Sequence, residues 1–430
     1  MTGEAATAGD APLIDAPLID APLIDEAPER GDDAPHPAVH GGHDLVVASL
    51  EPWDEVWRRN QHLLAGLLRA DPALRVLLLE PPADPLHDLR RGARVSPGRR
   101  LRAIGPDEGG APGRLWALRP TKWLPRRVDP LGDLRRARGV QGVARRLGMS
   151  SPLLWVNDPA AATLLEATGW PALYDVTDDW LLASRSPRQT ATLRAQEQVL
   201  LTRCAEVTVC SPALAAAKGA LRPVTLVPNG VDVARYRARA DRPPALPEGP
   251  CAVYVGTAHP DRMDVELCVE LAERLTAGGS GTLVLVGPVL LEAADVVRLE
   301  RAGARLLGPR PSAQVPGYLQ HADVLVVPHL VDDFTDSLDP LKLYEYLAVG
   351  RPVVSTPVAG FRDLTPSTRV RVAERPAFTA AVVEALRSAP DDGLAAAGGL
   401  VPVPTWDQRV REMALVLSRV AATRGAPTRA

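Results

Sequence analysis

The chain has 430 residues and a mass of 45.9 kDa, which exceeds one typical hydrophobic core and predicts about two domains. Hydrophobic residues make up 46% of the chain, charged residues 23%, and the net charge is −3. These values exclude global disorder, a coiled coil and the binding of a polyanion through bulk charge. The four cysteines form no Cys-x-x-Cys pair, so neither a zinc module nor a disulfide scaffold is expected.

Residues 1–43 differ from the rest of the chain in composition. The pentapeptide APLID occurs there three times in tandem, and nine acidic residues accompany one arginine. Few apolar groups and high like charge cannot offset the entropy of ordering, so we predict a disordered acidic tail. The tail lacks the pattern of a secretion signal, and no apolar run is long enough to span a membrane. The expected location is the cytoplasm, with peripheral attachment to the inner face of the membrane left open.

Beyond the tail, short apolar runs alternate with segments of helical spacing. The predicted strands of the first half are the runs at 45–50, 76–79, 153–156, 172–176, 206–210 and 224–227. A stretch with four prolines at 238–250 separates them from a second set, at 252–255, 282–286, 304–307, 324–327 and 353–355. The predicted helices include 53–70, 264–277, 312–321, 341–349 and 406–420. Continuous apolar strands alternating with helices indicate parallel sheets covered on both faces.

This alternation predicts an α/β fold with two doubly wound, Rossmann-like domains facing a central cleft. The predicted units after the tail are an N-terminal domain at 44–225, a linker at 226–248, a C-terminal domain at 249–404, and a final helix and tail at 405–430. Open α/β sheets bind ligands at the carboxyl ends of their strands. The cleft between the two domains is therefore the expected ligand site.

The segment 322–357 carries the clearest chemistry. It reads as a buried strand, a polar loop, a helix that Pro340 opens and Gly350 ends, and another strand. The free N–H groups at the start of that helix suit an anion such as a diphosphate. Lys342 adds a positive charge in the first turn, and Glu345 can accept hydrogen bonds from sugar hydroxyls.

The segment PLKLYEYLAVGRPVVSTP (340–357) resembles the donor-site motif of the GT-B glycosyltransferases, in the family 4-like group 1 branch. Three further stretches agree in the same order: VPNGVDVARY (227–236), YVGTAHPDRMD (254–264) and LGPRPSAQVPGYLQHADVLVVP (307–328). Near the N-terminus, 49–64 and 174–180 resemble the branch that includes teichuronic acid glycosyltransferases. The resemblance covers about 44–420 and implies a GT-B fold with the nucleotide-sugar donor in the C-terminal domain.

The donor-binding residues that the resemblance implies are Gly256, Arg262, Gly308, Arg310, Ser337, Leu341, Lys342 and Glu345. Glu345 matches the second glutamate of the family's E-x7-E motif, which contacts the donor ribose. Lys342 and the backbone N–H groups around Leu341 would hold the diphosphate, together with Arg262. The plainer interpretation of Glu345 and Lys342 is that of ordinary helix residues, and Arg262 is one of many arginines in this chain.

The remaining donor positions fall on loops. Gly308 and Arg310 lie where main-chain atoms of the family meet the nucleotide base, and Gly256 would permit close approach of the backbone to the donor. Ser337 stands where the family has the first glutamate of its motif, which contacts the transferred sugar. The flanking Asp336 and Asp339 are candidates to replace that contact. The identity of the sugar therefore stays open.

Acceptor-side residues are predicted in the N-terminal domain. Asp178 and Asp179 follow an apolar strand, where a cleft is expected, and are the predicted catalytic residues; their alternative role is to cap the next helix. Asn157 occupies a similar place after another strand and is a predicted acceptor-binding residue. Trp53 is the second one, with a place in the hydrophobic core as its alternative.

Residues 90–146 hold 16 basic and four acidic side chains. Trp116 and Trp123 lie among them. Because the N-terminal domain takes the acceptor in the GT-B family, this stretch predicts contact with an anionic membrane or a charged polymer. A solvated arginine-rich surface is the alternative. No nucleic-acid recognition module is present, so nucleic acid is not an expected partner.

Together these features predict a glycosyltransferase that moves a sugar from a nucleotide-diphosphate sugar to an acceptor hydroxyl of a glycan, lipid-linked or small-molecule acceptor. The resemblance implies a retaining reaction that needs neither a metal nor another cofactor, in cell-surface polysaccharide, glycolipid or natural-product glycosylation. A non-catalytic nucleotide-sugar-binding partner subunit is the main alternative, since Ser337 replaces a motif acid. A sugar-nucleotide epimerase is less favoured, because no residue is marked for its acid/base steps.

Overall fold

The computed structural model describes residues 44–90, 98, 100–124, 128–183, 185–364, 369–388 and 402–423. The predicted acidic tail at 1–43 lies outside these residues. The described chain forms two α/β units, each built on one sheet. The unit around the first sheet is called the N-terminal or first layer, and the unit around the second sheet is called the C-terminal layer. All strand pairs but one are parallel, as continuous apolar strands predict.

The first sheet has eight strands in the order β3-β4-β2-β1-β5-β6-β7-β8. Its strands are β1 Leu45–Ala48, β2 Val76–Leu79, β3 Arg102–Ala103, β4 Leu115–Leu118, β5 Leu153–Val156, β6 Ala172–Val176, β7 Glu206–Val209 and β8 Thr225–Leu226. The helices of this part are α1 Arg59–Ala70, α2 Pro85–Arg90, α3 Gly132–Arg146, α4 Ala162–Thr168, α5 Pro187–Arg203, α6 Pro212–Gly219 and α7 Val233–Arg237. Alternate residues of β1 enter different cores, with Leu45 and Val47 on one face and Val46 and Ala48 on the other.

The second sheet has six strands in the order β11-β10-β9-β12-β13-β14. Its strands are β9 Cys251–Val255, β10 Thr282–Val286, β11 Arg305–Gly308, β12 Val324–Val327, β13 Val353–Ser355 and β14 Val370–Val372. The helices that follow α7 are α8 Val265–Ala277, α9 Ala293–Arg301, α10 Val315–Gln320, α11 Asp333–Asp336, α12 Leu341–Val349, α13 Arg375–Arg387 and α14 Trp406–Ala422. In each sheet the first strand lies in the middle, so the strand order switches beside β1 and beside β9, and a crevice opens there.

The last helix, α14, returns to the N-terminal layer and packs on α1. Val410, Met413 and Leu417 of α14 share one buried cluster with Leu63 and Leu64 of α1. The two backbones approach closely at a glycine of α1, where a Cβ would lie 2.3 Å from Cγ2 of Val410. The helix predicted within the separate segment 405–430 therefore contributes to the core of the first layer, and residues 424–430 lie outside the described residues.

Two features differ from the predicted elements. The helix predicted over Trp53–Ala70 begins only at Arg59, because Trp53 is held in a loop where its backbone N–H donates to Glu80 Oε1 at 3.1 Å. The arginine-rich stretch also contains β3, β4 and α3, which the sequence analysis did not predict. Its helix α3 buries only a narrow apolar stripe, including Ala137, Val140 and Ala144, so the pattern is weak in sequence.

Candidate functional site

A cleft of about 930 Å³ lies between the carboxyl edges of the two sheets. It contains eight of the predicted site residues, namely Asn157, Asp178, Gly256, Arg262, Arg310, Leu341, Lys342 and Glu345. The N-terminal members follow β5 and β6, and Gly256 follows β9. Ligands of open parallel sheets typically bind at this place, beside the switch in strand order.

Lys342 lies in the first turn of α12, and its ammonium group contacts two buried polar side chains. Its Nζ donates to Tyr254 Oη at 3.2 Å and lies 3.4 Å from His329 Nε2. Burial, with a smaller contribution from Arg262, lowers the pKa of Lys342 to about 7. Burial and the nearby lysine also hold the pKa of His329 well below its usual value, so this imidazole is neutral. The ammonium is thus poorly compensated, and a phosphate placed at the start of α12 would stabilise it.

Gly256 provides the space for Lys342. Its φ is +145°, a backbone conformation that favours glycine. A Cβ at this position would lie 3.2 Å from Lys342 Nζ and 3.3 Å from Tyr254 Oη. Any larger residue would therefore push against the lysine that the sequence analysis assigned to the diphosphate.

Glu345 lies on the same helix and is half-buried. Its Oε1 accepts a hydrogen bond from Tyr236 Oη at 2.6 Å. Burial raises the pKa of Glu345, although the tyrosine hydrogen bond and Lys342 oppose this shift. Tyr236 fixes the carboxylate from α7, and the sequence analysis did not assign it a role. Its position in the VPNGVDVARY stretch was the only signal available.

Arg262 crosses the cleft to the N-terminal wall. Its Nη2 lies 3.3 Å from Asp178 Oδ1, and its guanidinium lies 5.7 Å from the ring centre of Phe334. Burial raises the pKa of Asp178, and Arg262 partly reverses that shift. Arg310, on the loop after β11, has a buried Nε without a hydrogen-bond partner. Both arginines can therefore donate to an anion bound at the start of α12.

Four predicted site residues lie outside the cleft lining. Gly308 is in β11 with a φ of +71°, and its carbonyl accepts from Gly287 N. Trp53 is only 4% exposed and belongs to the hydrophobic core. Asp179 is buried in an ion pair with Lys218, at 3.2 Å. The side chains of Trp53 and Asp179 therefore make contacts within the fold, and neither lines the cleft.

Ser337, the fourth of these residues, joins the two layers. Its Oγ donates to Phe334 O at 2.7 Å and accepts from the backbone N–H of Asp179 at 3.3 Å. Its carbonyl accepts from Ser211 Oγ at 2.7 Å. A serine fits here because the site is buried and its partners are neutral, whereas a glutamate would bring an unpaired charge.

The acids beside Ser337 are held elsewhere. Asp336 pairs with Arg362 at 2.8 Å and does not line the cleft. Asp339 lines the cleft, but its carboxylate accepts from Asn229 N at 2.5 Å and from Tyr344 Oη at 2.7 Å. Asn229 lies in the segment that connects the layers, and Tyr344 lies on α12, so both bonds hold the carboxylate in place. Neither aspartate thus presents a free carboxylate in place of the missing motif glutamate.

A buried network that the sequence analysis missed organises the N-terminal wall. Asp175, in β6, is fully buried and receives two hydrogen bonds from Arg59, at 3.1 and 3.2 Å. Its carboxylate also accepts from Trp155, Asn157 and Thr208. The predicted acceptor residue Asn157 is therefore oriented by Asp175. An acid inside an apolar strand was the available signal, since a buried charge requires partners.

The residues that the structure describes contain no group of three or more His, Cys, Asp or Glu side chains arranged to hold a metal ion. Among the helices of the described ranges, none is both long and apolar enough to cross a membrane.

Residues 249–388 match the family model of the glycosyl transferases group 1. The C-terminal domain is therefore similar to the glycosyl transferases of group 1. The matched residues include α12, with Lys342 and Glu345 in the cleft lining. The sequence is also 25% identical over 227 residues to TuaH of Bacillus subtilis (strain 168), whose name assigns it to teichuronic acid biosynthesis as a glycosyltransferase. That match covers 47% of this chain and 55% of TuaH, so the two share about half their lengths.

Solved structures show that the N-terminal and C-terminal layers together form the GT-B fold. An E. coli structure described as trehalose-6-phosphate bound with UDP-2-fluoro glucose superposes with a TM-score of 0.55 at 12% identity, over 88% of this chain and 96% of that one. An α,α-trehalose-phosphate synthase (UDP-forming) from Burkholderia vietnamiensis gives a TM-score of 0.52 at 15% identity, over 89% and 95%. The predicted fold class, two Rossmann-like layers facing a cleft, is confirmed.

Proposed function

We propose that this protein is a glycosyltransferase that uses a nucleotide-diphosphate sugar as donor and needs no resident cofactor. The observation that carries the proposal is that Lys342, Arg262 and Arg310 line one cleft together with the start of α12, and that Glu345 lies one turn along this helix. The cations and helix N–H groups suit a diphosphate, and the carboxylate suits the ribose hydroxyls. The match of residues 249–388 to the group 1 family supports this assignment.

The side chains of the cleft account for the proposed chemistry. As the bond between sugar and diphosphate breaks, negative charge grows on the leaving phosphate. Lys342, Arg262 and the first N–H groups of α12 stabilise that charge in a partly dehydrated site. We propose that they do so without a metal ion, that a phosphate oxygen takes the proton of the acceptor hydroxyl, and that the sugar's configuration is retained. The likeness to TuaH supports a cell-surface glycan or glycolipid as the setting.

Calorimetric titration with UDP, GDP and TDP tests the donor site directly. We expect one of these nucleotides to bind with micromolar affinity. Glu345→Ala should weaken its binding by about tenfold or more, because the variant removes a half-buried carboxylate that Tyr236 holds in place. Glu206→Gln, at an exposed ion pair away from the cleft, is the control and should leave the affinity unchanged. Failure of all three nucleotides to bind would contradict the assignment.

A non-catalytic subunit that only binds a nucleotide sugar is the second candidate. Ser337 favours it, because the structure commits this residue to interdomain contacts and offers no neighbouring acid as a substitute. The candidate predicts nucleotide binding without release of free nucleotide from any donor sugar. Measured turnover of the donor, to an acceptor or to water, would exclude it.

We also propose that the N-terminal layer contacts an anionic membrane. Trp123 and Val128 are each 67% exposed, and Leu124 and Leu131 are 47% and 58% exposed. They lie within the basic stretch 90–146, and α3 begins directly after them. Exposed apolar side chains beside arginines are typical of surfaces that rest on acidic lipids.

Vesicle co-sedimentation tests this contact. The chain should bind vesicles with acidic lipid more tightly than purely zwitterionic ones, and Trp123→Ser combined with Leu124→Ser should weaken binding by about tenfold. Leu415→Ser, at an exposed leucine of α14, is the control. Equal binding by the double variant and the wild type would exclude this surface.

A further inference from the structure

A second set of arginines lines the cleft on the N-terminal wall, apart from those assigned to the donor. Arg185 precedes α5, and Arg188 lies in its first turn. Both are exposed, and within the described ranges neither has an acidic partner. By contrast, Arg58, Arg59 and Arg262 of the same cleft each pair with a carboxylate. The wall at α5 therefore carries uncompensated positive charge.

An unsatisfied donor lies beside these arginines. The indole Nε1 of Trp180 is buried and has no hydrogen-bond acceptor, although Trp180 lines the cleft. Arg185 stacks on the same ring, with its guanidinium carbon 5.3 Å from the ring centre, and its Nε donates to Trp180 O at 3.3 Å. A buried N–H without an acceptor is costly, and a ligand oxygen placed between indole and guanidinium would satisfy it.

The cleft face of α5 is otherwise neutral. Its remaining lining residues are Gln189, Thr192, Leu193 and Gln196. The acid of this helix, Glu197, is buried away from the cleft and pairs with Lys218 at 3.0 Å. Two guanidinium groups thus lie beside uncharged side chains of α5, and the acids of the cleft lining, such as Asp158 and Asp178, lie outside this helix. Such a wall suits an anionic group attached to a hydroxylated ligand.

From this geometry we propose that the acceptor carries a phosphate or a carboxylate, bound by Arg185, Arg188 and the indole N–H of Trp180. The inference rests on the proposed function, because that function places the donor in the C-terminal domain. The acceptor then binds at the N-terminal wall of the cleft. The donor's own phosphates have Lys342, Arg262 and Arg310. The arginines at α5 belong to the opposite wall and serve a second anion.

Binding to the nucleotide-saturated protein separates the two anion sites. The probes are glucose, glucose 6-phosphate and glucuronate, each titrated after the donor site has been filled with the nucleotide that binds. We expect at least one anionic probe to bind about tenfold more tightly than glucose, with an affinity that falls as salt is raised. The anionic probe that binds more tightly than glucose shows whether the site takes a phosphate or a carboxylate.

The variant Arg185→Gln/Arg188→Gln should abolish the preference for the anionic probe and leave nucleotide affinity unchanged. Arg194→Gln, an exposed arginine on the same helix outside the cleft lining, is the matched control and should keep the preference. Equal binding of all three probes, or a preference that survives in the double variant, overturns the proposal while nucleotide binding stands. If no nucleotide binds the wild type, the proposed function fails, and this inference fails with it.

Discussion

Lys342→Met should weaken nucleotide-diphosphate binding by about 100-fold at pH 7 and below, and it should remove most of the pH dependence of binding. The size follows from the loss of a charged donor in a buried site. The pH dependence follows from the lysine's pKa of about 7 in the free protein. Below this value the ammonium is present before the nucleotide arrives.

Above pH 7 the free protein holds Lys342 mostly neutral, and the bound diphosphate favours its protonated form. Binding then requires proton uptake, so wild-type affinity should fall by up to about tenfold per pH unit between pH 7 and 9. The nucleotide's phosphates are ionised throughout this range. Calorimetry in buffers of different ionisation enthalpy measures the proton uptake, which should approach about one per nucleotide in the wild type and vanish in Lys342→Met.

Lys122→Met is the matched control, because this lysine pairs with Asp84 outside the cleft lining. It should keep both the wild-type affinity and its pH dependence. A wild-type affinity that is flat from pH 7 to 9 would show that Lys342 does not gain its proton on binding. Full affinity in Lys342→Met would remove the lysine from the diphosphate site altogether.

The sequence predicted the helix that brings Lys342 and Glu345 to the cleft, because the signals for this helix are local. Pro340 and Gly350 bracket the helix, and the apolar strands before and after it place its first turn at the sheet edge. What it could not predict are contacts between distant segments. Glu345 meets Tyr236 across 109 positions, and Ser337 meets Ser211 across 126. No spacing rule connects such pairs.

The C-terminal helix shows a different limit. Its apolar stripe predicts an amphipathic helix but does not identify the surface that the helix covers. The choice of α1 depends on a close approach at Gly66, where Val410 fills the space above the missing side chain. The sequence predicted this helix as a separate unit, and the packing at Gly66 places it on the N-terminal layer.

Asp175 was missed for a physical reason as well. Its strand, Ala172–Val176, reads as one apolar run, and the acids after it drew attention as candidates for chemistry. In the structure, Asp175 binds Arg59 at the centre of the network in the N-terminal wall. Asp178 pairs with Arg262, and Asp179 pairs with Lys218. The buried acid inside the strand therefore has the greater consequence for stability.

Asp175→Asn should lower the free energy of unfolding by about 3–5 kcal/mol, because it leaves the buried Arg59 without its counter-charge. For a layer of this size the midpoint of thermal unfolding should fall by about 10 °C. Glu206→Gln, which breaks the exposed pair with Arg419, should cost no more than about 1 kcal/mol.

The double variant Arg59→Met/Asp175→Asn distinguishes the loss of charge pairing from the loss of hydrogen-bond geometry in this network. If the unpaired guanidinium causes the loss, removing it should restore part of the stability that Asp175→Asn alone removes. Arg59 also donates to Pro228 O and Asn229 Oδ1, each at 3.2 Å, where the chain passes between the layers. Nucleotide affinity should therefore stay reduced in the double variant, even where its unfolding temperature recovers. Equal unfolding temperatures for the single and double variants would show that hydrogen-bond geometry, not charge pairing, makes Asp175 necessary.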